Sequence, residues 1–360
     1  MPWTARLRAA LFSGAVIVAA LAGCSTTGAG ADSNSSDASA QVFTNPIKEI
    51  GNDPWVIKHG RYYYPVESWD GGIWVTRSSK DDLTDIAWAG KRVKVWTPPS
   101  DGPACADVWA PELHFIDDHW CIHVAATTCD KDNRNHRMYA LRSTTDDALG
   151  DYELAGKVTD ASDHWAIDDT RFEYRGRAYF AWSGWPGGED GQQNLYIAEM
   201  TSPTTLAGTR VMISQPDRDW ERRTQPTEEG PEALVHDGRL FLVYSASASW
   251  TDDYCYGMLT LIGDDPLDPD SWSTSDQPMF ARTDKVFGPG HGSFTMSPDG
   301  SESWMVYHSA RRSGAGWNRM MNAQPFRWER DKPGFGAPVA TGKSIPVPSG
   351  QKTPATTDGS

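Results

Sequence analysis

Three acidic residues, Asp53, Asp168 and Glu229, open three similar segments of this 360-residue chain, and a histidine, His291, opens a fourth. Two carboxyl groups are the minimum equipment for cleaving a glycosidic bond. One carboxylic acid protonates the leaving oxygen, and one carboxylate activates water or attacks the sugar. A third acid nearby keeps the proton donor protonated by like-charge repulsion. Taken singly, an Asp or a Gly-Pro after a Glu is an ordinary turn feature that satisfies backbone groups. Four ionisable openers in equivalent places are harder to explain that way. Carboxylates brought together are costly unless they stay hydrated, share protons or bind something.

The elements that position these openers are strands. Short runs rich in Tyr, Phe, Val and Trp alternate with Gly, Asp, Asn and Pro, and no long stretch has helical periodicity. One hairpin pattern recurs five times. Asp53-Pro-Trp leads to a turn at Gly60, Ala110-Pro-Glu112 to one at Asp117-Asp118, and Asp168-Asp-Thr to one at Gly176. Glu229-Gly-Pro leads to Gly238, and His291-Gly-Ser to Gly300. Each copy is a polar opener, a strand, a tight turn and a second apolar strand. The copies recur about every 60 residues, enough for one four-stranded sheet, the blade of a propeller. The expected class is therefore all-β, a five-bladed β-propeller. The first strand of each blade lines the central channel, so openers far apart in sequence meet at one end of the axis.

The rest of the chain bounds the chemistry. Net charge is −15 and no Lys/Arg cluster is present, which argues against a nucleic-acid partner. The 17 Trp residues exceed what core packing needs, and indole faces stack on the apolar faces of sugars. Residues 1–24 read as an export signal. Arg6 and Arg8 precede an apolar run too short to span a bilayer, and Leu21-Ala22-Gly23-Cys24 looks like a bacterial lipobox with Cys24 lipidated. The membrane is then reached only through a lipid anchor, at the cell surface or after secretion. Residues 25–41 read as a flexible tether, 42–345 as the folded domain and 346–360 as a flexible tail. Export permits disulfides, and four cysteines allow three complete pairings. Cys105 and Cys129 sit in loops flanking one strand pair and are the favoured bridge, while Cys121 and Cys255 lie in apolar strands as buried thiols.

Asp53-Pro-Trp, Trp109-Ala-Pro-Glu112-Leu, Ala166-Ile-Asp168, Glu229-Gly-Pro and Gly288-Pro-Gly-His291 resemble, in order, the motif series of glycoside hydrolase family 43. Asn135-His-Arg-Met-Tyr139, Gln193-Asn-Leu-Tyr-Ile197 and Ser249-Trp-Thr-Asp-Asp-Tyr-Cys255 resemble its exo-acting α-L-arabinofuranosidases. The resemblance implies an inverting mechanism on arabinose-containing plant polysaccharides or their oligosaccharides. Asp53 would be the general base, Glu229 the general acid, and Asp168 the residue that orients substrate and keeps the acid protonated. It also implies that His291 contacts a hydrated calcium or other ion in the channel, with no organic cofactor, and that Arg319 reaches the substrate. Trp109 and Glu112 match a channel-lining motif, and Trp55, Trp74 and Trp165 are candidate walls of the sugar pocket. The alternatives are a β-xylosidase or endo-arabinanase of the same family, or a non-catalytic carbohydrate-binding propeller. Two departures stand out. Asp169 follows Asp168 where relatives have glycine, and only one of the pair can face the channel by strand alternation. Gly292 follows His291 where a polar residue is common.

Overall fold

The structure, a computed structural model, describes residues 41–86 and 90–351, so the export signal and most of the expected tether and tail lie outside the described residues. The described chain forms five four-stranded antiparallel sheets, each built from four consecutive strands. Blades 1 to 5 occupy residues 55–96, 106–158, 166–214, 228–274 and 287–334. Their innermost strands are Trp55–His59, Ala106–Ile116, Ala166–Tyr174, Glu228–His236 and Phe287–Met296. This is the five-bladed propeller that the repeat predicts.

Strand alternation builds the core between blades. In blade 3, Tyr179 faces the apolar cluster shared with blade 4, and its neighbour Phe180 faces the cluster shared with blade 2. In blade 5, Met305 and Tyr307 pack toward blade 4, whereas Trp304 and Val306 pack toward blade 1. A fifth cluster joins blades 1 and 2. Each sheet is thus apolar on both faces, as a sheet sandwiched between two others must be. Polar contacts tie the inner strands as well. The Val56 N–H donates to Ser293 Oγ at 2.8 Å, and the Trp55 indole N–H donates to the Leu113 carbonyl at 2.8 Å.

The ring is held closed outside the blades. Val42–Thr44 pairs antiparallel with Ser344–Pro346. The Asn45 side chain makes both backbone bonds of Ala323 in blade 5, accepting at 2.9 Å and donating at 3.0 Å. The segment 346–351, expected to belong to a loose tail, is tied in too. The Val347 N–H donates to the Gln41 carbonyl at 3.0 Å, and the Gln351 amide bonds Leu83 N and the Thr84 hydroxyl. Cys105 and Cys129 form a disulfide, and Cys121 and Cys255 are buried thiols.

Candidate active site

The same backbone device recurs where each innermost strand begins. Asp53, Ala110, Asp168, Gly230 and His291 all have positive φ, between 35° and 53°. In blades 2 to 5 the strand pairing also slips beside these residues, at Trp109/Glu112, Ile167/Asp169, Glu229/Glu232 and Gly290/Gly292. A bulge with a left-handed residue re-aims a side chain that plain alternation would send into a neighbouring blade. Such bulges turn Asp168, Glu229 and His291, and the left-handed backbone of Asp53 alone turns that residue, into one cavity of about 640 Å³.

Each carboxyl group has its own electrostatic setting. Asp53 Oδ1 lies 3.2 Å from Arg319 Nη1, 3.3 Å from His291 Nδ1 and 3.2 Å from His308 Nδ1. The Asp53 N–H also points at His308 Nδ1, at 3.2 Å, and donates to it when that nitrogen carries no proton. Burial alone would raise the Asp53 pKa, but His291, His308 and Arg319 outweigh it and hold the carboxyl far below the usual range. The pKa values of both imidazoles are themselves lowered, chiefly by burial, that of His308 to about 3, so the rings add charge beside Asp53 only as the pH falls and Arg319 is its standing cation. Glu229 is the opposite case. Burial is the largest cause of a pKa raised to about 7. The Tyr254 hydroxyl, donating to Glu229 Oε1 at 2.8 Å, opposes that rise, the Asp53 charge adds to it and Arg319 opposes it. Asp168 is raised well above the usual range by burial and then by the charges of Glu229 and Asp53.

The ambiguity of the acidic doublet is resolved by the bulge. Asp168 lines the cavity, whereas Asp169 turns into the interface with blade 2 and faces His123 Nδ1 at 3.4 Å. The acids around Glu229 separate in the same way. Glu228 is buried under the Ser214 hydroxyl, which donates to it at 2.8 Å. Glu232 accepts from the Thr170 hydroxyl at 3.3 Å deeper in the channel.

Arg319 sits at the centre of the site, and Trp109 and Trp165 line the cavity. Trp165 stacks on Trp185 and Trp109 on His136, so both rings are braced. Two expected wall residues, Trp55 and Trp74, are placed elsewhere, while Glu112 lies in the channel below the cavity. Trp55 is packed against the core between blades 1 and 2 and against the His114 ring. Trp74 lies on the outer part of blade 1, with the Arg92 guanidinium 4.4 Å above its ring. Glu112 is carried past the cavity by the double slip after Ala106, and bonds His114 Nε2 at 3.1 Å inside the channel. Sequence reasoning missed Tyr254 and His308, which set the states of the two working acids, and the cavity-lining Trp250 and Trp317. His308 ends the fifth hairpin copy and Tyr254 lies in a quoted motif, but neither position announces its partner.

His291 was expected to meet an ion. Its Nδ1 faces the carboxylates of Asp53 at 3.3 Å and Asp168 at 3.7 Å. Among the described residues no group of three His, Cys, Asp or Glu side chains is arranged to hold a metal, whereas calcium takes six to eight oxygens. These residues do not fit a directly ligated calcium; the hydrated ion that the resemblance implies would meet His291 through its own waters and takes no part in the mechanism below.

A cavity at the axis of a five-bladed propeller, holding an ionised Asp53 beside the raised carboxyls of Glu229 and Asp168, has the equipment of a glycoside hydrolase. The chain belongs to the family described as "Glycosyl hydrolases family 43", whose sequence profile matches residues 43–333. It is 36% identical, over 94% of its length and 71% of the relative's, to an extracellular exo-α-(1→5)-L-arabinofuranosidase of Streptomyces avermitilis. It is likewise 36% identical to an extracellular exo-α-(1→5)-L-arabinofuranosidase of Streptomyces chartreusis, over 74% of this chain and 82% of that one. The crystal structure of an α-L-arabinofuranosidase from Lactobacillus brevis superposes with a TM-score of 0.77 at 35% identity, covering 84% of this chain and 98% of that one.

Proposed function

We propose that the protein is an exported exo-α-L-arabinofuranosidase that removes terminal arabinofuranosyl residues from plant polysaccharides or oligosaccharides with inversion. The observation that carries this reading is the divergence of Asp53 and Glu229 within one cavity. Arg319 holds the first ionised, with His291 and His308 adding charge as the pH falls, and burial keeps the second protonated up to about pH 7. Two acids driven apart in this way are the acid/base assignment that glycoside cleavage requires.

Asp53 takes a proton from water as its oxygen forms the new bond to the anomeric carbon. Glu229 gives its proton to the glycosidic oxygen as the old bond to that carbon breaks. Asp168, protonated and beside His291, orients the sugar and contributes no proton to the balance. Arg319 holds the Asp53 carboxylate through a contact of 3.2 Å. The names of the Streptomyces relatives support arabinofuranosyl specificity and export. Retention at the surface through a lipid on Cys24 is part of the same proposal, checked by detergent partitioning of the full chain against Cys24→Ala.

The test is incubation with an aryl α-L-arabinofuranoside, an aryl β-xyloside and linear arabinan, following the product anomer by NMR. The expected result is hydrolysis of the first, single arabinose units from the third, and inverted product. No hydrolysis of any substrate rejects the enzyme reading, and retained configuration rejects Asp53 as the base.

A further inference from the structure

Three tryptophans at the cavity keep exposed surface, Trp109 at 38% with one face stacked on His136, and Trp250 and Trp317 with no such partner. Trp250 is 40% exposed and Trp317 is 62% exposed, and both line the cavity that holds Asp53 and Glu229. Their rings meet edge to face with centroids 5.7 Å apart. The other tryptophans near this end of the propeller are already engaged. Arg92 covers Trp74 and approaches Trp69, His136 covers Trp109, and Trp185 covers Trp165. Among the described residues no further ring or cation stacks on Trp250 or Trp317.

The pair is pre-positioned. The Trp317 indole N–H donates to Ser249 Oγ at 3.2 Å. The two loops that carry the rings are joined through Asp252, whose carboxylate accepts from Gly314 N at 2.9 Å and from the Ser313 hydroxyl. The Arg319 guanidinium that binds Asp53 also donates to the Ser249 carbonyl, so the platform shares an anchor with the working carboxylate. A surface held in its binding geometry before the ligand arrives loses little freedom on binding.

Location specifies the occupant. The leaving oxygen must come within hydrogen-bond reach of Glu229. Glu229 is held by Tyr254, which lies four residues after Trp250 on the same loop. The group attached to the leaving oxygen therefore emerges beside this loop. A cavity of about 640 Å³ is several times what one five-membered sugar ring fills. Aromatic faces at its mouth match the apolar face of a second sugar. We propose that Trp250 and Trp317 form the platform for the departing saccharide, the sugar unit next to the one cleaved. The inference rests on the arabinofuranosidase reading above and extends it to what the enzyme selects.

The experiment compares the unaltered protein with Trp250→Ala, Trp317→Ala and the corresponding Phe variants. One substrate is arabinotriose, and the other is methyl α-L-arabinofuranoside, whose aglycone is too small to reach the rings. Each alanine variant is expected to lower kcat/KM on arabinotriose about tenfold, mainly through KM, and to lower the ratio of arabinotriose to methyl-glycoside activity by at least about fivefold. The phenylalanine variants should recover most of that ratio. Equal losses on the two substrates, or no loss on arabinotriose, overturn the proposal. If the unaltered protein releases arabinose from neither substrate, the parent reading falls. Titration of tryptophan fluorescence with arabinotriose then decides the platform, with a response lost in both alanine variants supporting it and an unchanged response rejecting it.

Discussion

Asp53 and Glu229 face one cavity, yet they keep opposite protonation states because their partners differ. Asp53 has a guanidinium and two imidazoles within 3.3 Å. Glu229 has a phenol at 2.8 Å and burial that outweighs it. The active form needs Glu229 protonated, and its pKa is raised, so activity is lost as pH rises through about 7. It also needs Asp53 ionised, and that pKa is lowered, so activity persists on the acid side well below the ordinary carboxylate range of about 4. A kcat/KM profile should therefore be flat through weakly acidic pH and fall above about 7. Because Asp168 titrates beside Glu229, the alkaline limb reports the interacting set rather than one residue. Tyr254→Phe removes a donor that favours the ionised acid, so the limb should move to higher pH, and an unmoved or lowered limb would break the link between Tyr254 and the acid. Glu229→Gln should cost at least about a hundredfold on substrates with poor leaving groups. The loss should be much smaller on activated aryl glycosides, because a good leaving group departs without a proton. Equal losses in steady-state assays on both would remove Glu229 from the acid role.

The inner strand with its left-handed opener is the element that makes a site from a repeat. Its spacing and turn glycines were legible in the sequence, and with them the blade count and the converging openers Asp53, Asp168, Glu229 and His291, whereas Arg319 came only from the resemblance to the family. The bulges were not legible, because a bulge is one residue's backbone angle rather than a pattern of side chains. That is why the depth of Glu112 in the channel, below the cavity, was not legible, and why the doublet at Asp168 could not be settled by alternation. Trp55 and Trp74 were misplaced for a related reason. An aromatic on a strand between two blades is equally suited to a pocket wall and to the core, and both took packing positions outside the cavity. Gly230 tests the element directly. Its φ is 53°, and a Cβ there would stand 2.9 Å from the His291 ring. Gly230→Ala should displace both the residue before it, Glu229, and His291. The expected result is a kcat lowered more than about tenfold and a stability loss of roughly 1–3 kcal/mol in denaturant unfolding. An alanine variant with normal kcat and stability would show that the opener tolerates a side chain.

At the scale of the whole molecule, the ring of blades gathers acid groups along its axis that no local pattern foretells. Asp169 and Glu232 stand far from Glu112 in sequence, and only closure of the ring brings them close enough to raise its pKa. Glu112, Asp168, Asp169, Glu228 and Glu232 are all raised, each chiefly by burial, and Glu229 joins them at about 7. The direction of the consequence follows from linkage. A carboxyl group whose folded pKa lies above its unfolded value near 4 contributes stability that is complete below about pH 4 and is lost as pH rises through the folded value. Asp53, Asp160 and Asp163 have lowered values, so their contribution is present above about pH 4 and is lost as pH falls. The two sets leave a window just above pH 4 in which both contribute, and above it only the buried set changes. The net charge of −15 adds self-repulsion in the same direction as carboxyls ionise. Calorimetric unfolding across pH 4 to 8 should give the highest midpoint near pH 5 and a fall of at least about 5 °C by pH 8. Adding a chelator separates two explanations of a flat profile. If the midpoint becomes pH-dependent only after chelation, a bound cation neutralises the axial acids in the native protein. If it stays flat, these carboxyls ionise in place without cost, and the assignment of Asp168 as a protonated partner of Glu229 fails with it.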